Sequence, residues 1–430
     1  MAEEDFALQG LDNAVEVYSF PAARFKSTRV DFFLSTPLRK KQHTRLALIG
    51  RLLERGTRRL PGLQQLNQFL DELYGAGFAV EVEALGEHQI LHLGLEVVSS
   101  PFLPNGEDLL AQGVRFLGEV LADPESEGEG FKRLYLSQEK KALAYYIRSL
   151  ANDKNTFAHR RCLEVMGEDD PCALPAYGDP ADFRAISARN LMASHRTLLA
   201  QSRIALFFSG NFAPAALAGL GPELICWERE PVSAVGQRVV PVFPGAVRER
   251  FESHDLSQGR LVLGYRTGIT MADEDYPALV LFNALLGGDA QSRLFRHLRE
   301  EAGLCYQIGS HLEPLCGLLF VEAGIEPDAY PEVRAQIERQ LALLRQGALN
   351  LGELDLSRQL LQRSLWALDD SCEGMVRFYY QQLLAGIWIG RTAWQQRFAA
   401  VDADAVARVA AKVQLHTSFF LYPAHSGWRP

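Results

Sequence analysis

The order of strands and helices read from the first half of this chain is read again from the second. AGFAVEVEAL aligns with AGLCYQIGSHL, placing Ala302 226 residues after Ala76, and RVDFFLSTP aligns with RLVLGYRTG, placing Arg260 231 residues after Arg29. A few insertions account for the difference. Each copy opens on apolar strands, continues through helices with apolar residues at i, i+3 and i+7, and then gives two alternating strands. In the first copy these are the helices Lys40 to Arg55 and Gln65 to Tyr74, then AVEVEAL and HQILHLGLEV joined near Gly86-Glu87. Leu110, Val114, Leu117 and Leu121 mark a further helix, Phe131 to Leu150 a longer one, and RIALFFSGNF a buried strand. Neighbouring strands joined by short turns, with helices segregated between them, make an α+β class of two related domains. The boundary falls in EREPVSAVGQRVVPVFPGAVRER, which has three prolines and no helical period. The expected division is residues 1–225, a linker at 226–250, and 251–430.

Composition narrows the function. The chain carries 44 Lys+Arg against 53 Asp+Glu over 430 residues, a formal charge of −9, with no basic block. It lacks the electrostatic footprint expected for nucleic acid or an anionic membrane. No apolar run approaches the ~20 residues that span a bilayer. The start, MAEEDFALQG, places three acids where a signal peptide is basic. Six scattered cysteines without a C-x-x-C pair argue against a zinc ribbon or a disulfide framework. A reducing cytoplasm is the expected location.

Gly287 to Ser310 reads GGDAQSRLFRHLREEAGLCYQIGS. This closely resembles the S-R-L-F-x-x-x-R-E-x-x-G-L-x-Y signature of the pitrilysin/insulinase metallopeptidase family, which includes the mitochondrial processing peptidase. The likeness extends to the Gly56-Thr57 pair, to LDELYGAG and to LFFSGNF. FKSTRV and LDELYGAG look most like zinc-motif-lacking bacterial members associated with elongation factor P modification. The resemblance implies a clamshell of two homologous domains, each a mainly antiparallel sheet with helices packed on it, that pairs with a second subunit around peptide.

Active members of that family carry H-x-x-E-H on the first helix, two histidines for zinc and a glutamate as general base. Anchored on Gly56-Thr57, those positions are Ala47-Leu48-Ile49-Gly50-Arg51. Both histidine positions (Ala47, Arg51) and the base (Gly50) are lost, and Arg51 places a fixed positive charge where a cation would sit. Glu139, on the long helix, is the nearest candidate for the distal ligand and stands alone. No metal and no catalytic residue is expected on this chain by itself.

Arg299 and Tyr306 are the positive candidates, since the resemblance implies that this Arg and Tyr reach substrate at the scissile bond. A phenol can donate to a developing oxyanion and a guanidinium can clamp a carbonyl or carboxylate. The bland reading is a salt bridge from Arg299 to Glu300 or Glu301 and a half-buried sheet tyrosine. His88 and His92 have the spacing of a zinc pair on a helix, but on a strand their rings would lie about 13 Å apart. His43 reads as a solvated histidine at the start of a helix. Arg293 is expected to support packing, Asp123 to Gly130 (DPESEGEG) to be a solvated loop, and Gly287-Gly288 to be a turn.

The expected function is that of a non-catalytic subunit of a heterodimeric zinc metallopeptidase. Its partner would be a zinc-bearing family chain, and its substrate a peptide or unfolded polypeptide. The alternative is a non-proteolytic scaffold or peptide-binding protein of the same fold. Whether the chain takes part in an enzyme is left open at this point.

Overall fold

The computed structural model describes residues 5–12, 15–167, 170–217, 220, 225–230, 232 and 245–429. Most of the expected 226–250 linker therefore lies outside the described residues. The first sheet has six strands: β1 (Ala7–Asp12), β2 (Val15–Pro21), β3 (Ser27–Pro37), β4 (Gly77–Leu85), β5 (His88–Val98) and β8 (Arg203–Gly210), in the order β1-β2-β8-β3-β5-β4. A short hairpin, β6 (Ser126–Glu127) with β7 (Gly130–Phe131), stands apart. The second sheet joins β9 (Arg248–His254), β10 (Gly259–Arg266), β11 (Gln307–Glu313), β12 (Leu318–Ile325) and β13 (Gln414–Pro423) in the order β11-β12-β10-β13-β9.

Set β1 aside and the two orders coincide strand for strand. Each sheet has one parallel pair, β2 with β8 and β9 with β13, and is otherwise antiparallel. The aligned segments, RVDFFLSTP with RLVLGYRTG and AGFAVEVEAL with AGLCYQIGSHL, fall on β3 and β10 and on β4 and β11. The two domains are homologous, and the α+β class holds.

The first sheet is covered on one face by α1 (Gln42–Leu53), α3 (Leu109–Ala122) and α6 (Ala188–Gln201), among others, in a single apolar core. Further helices in this half are α2 (Gly62–Glu72), α4 (Arg133–Ser149) and α5 (Lys154–Met166). Local chemistry fixes their starts: Asp108 caps α3, Asp153 caps α5, and Ser187 with Asn190 forms a capping box on α6. Later helices are α7 (Tyr276–Asn283), α8 (Tyr330–Arg345), α9 (Leu351–Ala367), α10 (Cys372–Leu384), α11 (Arg391–Ala400) and α12 (Ala403–Lys412). No helix among the described residues is long and apolar enough to cross a membrane.

The compact units do not follow chain order throughout. One comprises residues 1–147, 174–235 and 371–380, and the other 148–173, 236–370 and 381–430. In the second unit α5 lies on the sheet, where Ala158, Cys162 and Met166 pack with Val262, Phe320, Phe419 and Leu421. In the first unit, Tyr380 stacks on Phe33 with ring centroids 3.8 Å apart, and Tyr379 meets Phe6 edge-on. Each sheet is thus buried on both faces, which is why β3 is buried without a break from Val30 to Ser35, its polar residues included.

Three local expectations are corrected. Gly287-Gly288 is no turn: it ends a π-helical stretch, Ala284–Gly288, that continues α7. The stretch Asp123 to Gly130 is only partly a solvated loop, because it folds into the β6-β7 hairpin and buries Glu125. That carboxylate accepts from the backbone NH of Gly62 at 2.9 Å and from Lys132 Nζ at 2.6 Å. His43 is buried rather than solvated: at 4% exposure it lies next to Thr44, whose hydroxyl donates to Asp182 at 2.6 Å and accepts from the NH of Asp179 at 2.9 Å. The segment that follows Leu174 supplies this cover, a long-range contact that local periodicity does not report.

Candidate functional site

Ala47 and Gly50, two of the positions that the resemblance equates with a metal motif, lie on the inner face of α1. Ala47 and Gly50 are buried, and a Cβ added to Gly50 would stand 2.5 Å from Val82 Cγ2 on β4 and 3.4 Å from Leu91 Cδ1 on β5. Gly50 thus lets the helix sit close against the sheet. The helix ends at Leu53; in the Gly56-Thr57 pair beyond it, Gly56 takes φ of +129° and a Cβ would collide with the Leu60 carbonyl. Thr57, fully buried, bonds Glu119 and accepts from the NH of Leu60 at 3.0 Å, so this pair is a structural joint.

Arg51 and Glu139 meet. Arg51 Nε donates to Glu139 Oε2 at 2.8 Å, and Arg55 Nε, in the turn that follows α1, donates to Oε1 at 2.7 Å. Each oxygen of the buried carboxylate is engaged by a guanidinium, a charge-assisted arrangement. Arg55 also lies 5.5 Å over the ring of Tyr135 on α4. Glu54 accepts from the NH of Val80 at 3.3 Å; burial pushes its pKa up, against the pull of Arg51. These residues do not fit zinc: Glu139, the expected distal carboxylate, is engaged by two guanidinium groups, and no imidazole stands on α1 at positions 47 to 51. Sequence reading placed Arg51 and Glu139 as separate remnants. It missed Arg55 as the second partner, although the expected helix Lys40 to Arg55 would set Arg51 and Arg55 at i, i+4, a usable signal; in the structure Arg55 lies just past the helix end.

Arg299 and Tyr306 flank the end of a second π-helical segment, Phe295–Glu301. Such segments are rare and recur at functional sites. The segment closes through the NH of Ala302 to the His297 carbonyl at 3.2 Å and the NH of Leu304 to the Leu298 carbonyl at 2.8 Å, with Gly303 at φ +62°. Arg299 is exposed with its guanidinium 4.6 Å over the Phe295 ring, rather than in a salt bridge with Glu300 or Glu301. Tyr306 is 57% exposed, so it is not half-buried in the sheet, and its hydroxyl reaches Glu326 Oε1 at 3.4 Å. Between them Cys305 is buried, which pushes its thiol up to about 11 against the opposing charge of Arg299. Arg293 behaves as a packing residue. With Arg296 it grips the Glu353 carboxylate at 2.8 and 2.7 Å, and it donates to the Ala348 carbonyl at 2.6 Å. Burial alone would raise the Glu353 carboxyl, but the two arginines hold it below the usual range.

His88 and His92 sit on β5 as expected. His92 is buried with Nε2 2.7 Å from Asp31 Oδ1 and Nδ1 3.6 Å from Glu81. Burial works against its charge, yet Asp31 and Glu81 raise its pKa; Glu81 is in turn drawn down to about 2 by His92 and, after burial, Arg377. His92 is therefore committed to a carboxylate network and is no zinc partner of His88.

Comparison with known proteins supplies the remaining evidence. Residues 185–361 match a family model described as the peptidase M16 inactive domain. A Bacillus subtilis protein named probable inactive metalloprotease YmfF is 29% identical over 93% of both chains. Among solved structures, a conserved protein from Enterococcus faecalis has a TM-score of 0.89 at 26% identity, covering 97% of this chain and 99% of that one. A peptidase M16 inactive domain from Pseudomonas fluorescens shares the fold at a TM-score of 0.78 and 15% identity, over 99% of this chain and 100% of its own.

Proposed function

Since the chain belongs to the M16 (pitrilysin/insulinase) metallopeptidase family as an inactive member, we propose that it is the non-catalytic subunit of a heterodimeric zinc peptidase. The observation that supports this reading is local: at the positions the resemblance equates with zinc ligands and base stand Ala47, Gly50 and Arg51, and Arg51 joins Arg55 in an ion cluster on Glu139. The signature from Ser292 to Tyr306 is retained nonetheless, with Arg299 and Tyr306 reaching solvent. In this proposal the chain completes a peptide-binding chamber with a partner that carries H-x-x-E-H. Arg299 clamps a backbone carbonyl or carboxylate of the peptide, and Tyr306 donates to the oxygen that gains charge as the peptide bond is attacked. Zinc resides on the partner, and the pair works in the cytoplasm on peptides or unfolded chains.

The test is recovery of the tagged chain from its native cells, identification of co-purifying chains by mass spectrometry, and assay of the reconstituted pair. Arg299→Ala and Tyr306→Phe should each lower kcat/KM at least about tenfold with the complex intact, in line with the loss of one oxyanion donor. Unchanged activity in both variants with assembly retained would move the chain to the scaffold reading. Chelator-sensitive peptidase activity in the highly purified chain alone would refute both.

A further inference from the structure

A second group of metal-binding side chains lies in the unit built on the second sheet. His159, His311 and Glu322 each offer one ligand atom, and all three atoms lie within 4.8 Å of one another. They share no residue with α1 or Glu139. Each comes from a different element: His159 from α5, His311 from β11 and Glu322 from β12.

The fold dictates this convergence. On β12, Glu322 and Phe320 point to the same face, and the pairing of β11 sets His311 opposite Phe320 and Gly309 opposite Glu322. His311 and Glu322 are therefore diagonal neighbours on the face that carries α5. On α5, His159, Cys162 and Met166 form one stripe at i, i+3, i+7, and Cys162 and Met166 are buried against that face. The stripe brings His159 Nδ1 to 2.8 Å from Glu322 Oε1, and its ring to 5.2 Å from that of His311. Phe320 forms an apolar floor, 4.5 Å from the His159 ring and 5.5 Å from the His311 ring. All three ligands are half-buried, which holds their rotamers and leaves a path for water.

We propose that His159, His311 and Glu322 bind a divalent transition metal, zinc before the others. Two imidazoles and one carboxylate are a familiar zinc donor set, with a fourth position left for water. The metal would fasten α5, which in chain order belongs to the first half, to two strands of the second sheet.

The experiment uses the full chain, stripped with a chelator, dialysed, and titrated calorimetrically with Zn2+ and spectroscopically with Co2+. One equivalent per chain is expected, with the intense visible bands of low-coordinate cobalt and a rise in Tm on adding zinc. Glu322→Gln and His311→Ala should each weaken binding at least about tenfold, since even outer-shell partners contribute that much. Glu322→Gln keeps the side chain's size and an acceptor for His159, so it remains informative if His311→Ala misfolds; circular dichroism of the apo forms checks this. Absence of binding at millimolar metal would overturn the proposal. Binding of equal strength in Glu322→Gln and the wild type would overturn it as well, placing the ion on cysteines or surface groups.

Discussion

Replacing Glu139 tests whether its pairing with Arg51 and Arg55 is a structural ion cluster. The Glu139 side chain is 6% exposed, whereas those of Arg51 and Arg55 are 36% and 26% exposed. Removing one member of a fully buried pair costs about 3–5 kcal/mol, because a charge is left without a partner. Here the charges left behind sit on guanidinium groups that water can still reach, so the loss falls below that range. Two charge-assisted hydrogen bonds at about 1.5 kcal/mol each, less about 1 kcal/mol of rehydration, predict a loss of about 2 kcal/mol for Glu139→Ala. Glu139→Gln keeps one acceptor oxygen and should lose about 1 kcal/mol. Arg51→Met should cost less than either, since Arg55 still satisfies the buried carboxylate. Urea titration followed by circular dichroism, read as a shift in midpoint at constant slope, measures all three and the Arg51→Met/Glu139→Gln cycle. Because the carboxylate is buried, most of the loss should persist in 1 M salt, where surface pairs are screened. A Glu139→Ala chain within about 0.5 kcal/mol of the wild type, a range typical of surface substitutions, would refute the reasoning.

Gly50→Ala should destabilise by about 1 kcal/mol, because overpacking against Val82 outweighs the gain in helix propensity, and adding Val82→Ala should recover most of the loss in the same urea assay. His195, buried on α6 against Phe131, has its pKa pushed down to about 4 by burial. Its folded pKa lies below the unfolded value of about 6.5, so the unfolded chain binds the proton first. Stability should therefore fall by up to about 3 kcal/mol as pH drops through that window, and His195→Gln should flatten this limb of the pH–stability curve. Asp31→Asn should cost about 2–4 kcal/mol by thermal melting, since fully buried Asp31 receives Arg29 Nε at 2.9 Å and lies 2.7 Å from His92 Nε2.

The repeat was legible in the sequence because it is written in periodicity, and periodicity is set by which face of an element is buried. β3 with β10 and β4 with β11 proved to be equivalent strands, and their sheets have the same order. The side chains available at positions 47 to 51 were legible too, since Ala-Leu-Ile-Gly-Arg offers no imidazole or carboxylate there whatever the packing does. What the sequence did not disclose are the long-range pairings. Neither the cover over His43, nor the 148–173 and 371–380 segments that cluster outside their own halves, leaves a mark in local spacing. The π-helical stretches around the Arg299 signature were likewise hidden, because the residues that widen a turn are ordinary helix formers. Side-chain types decide which donors a stretch of chain can offer. Only tertiary contact, which fixes a carboxylate between two arginines and two histidines beside Glu322, decides which of its charged groups meet.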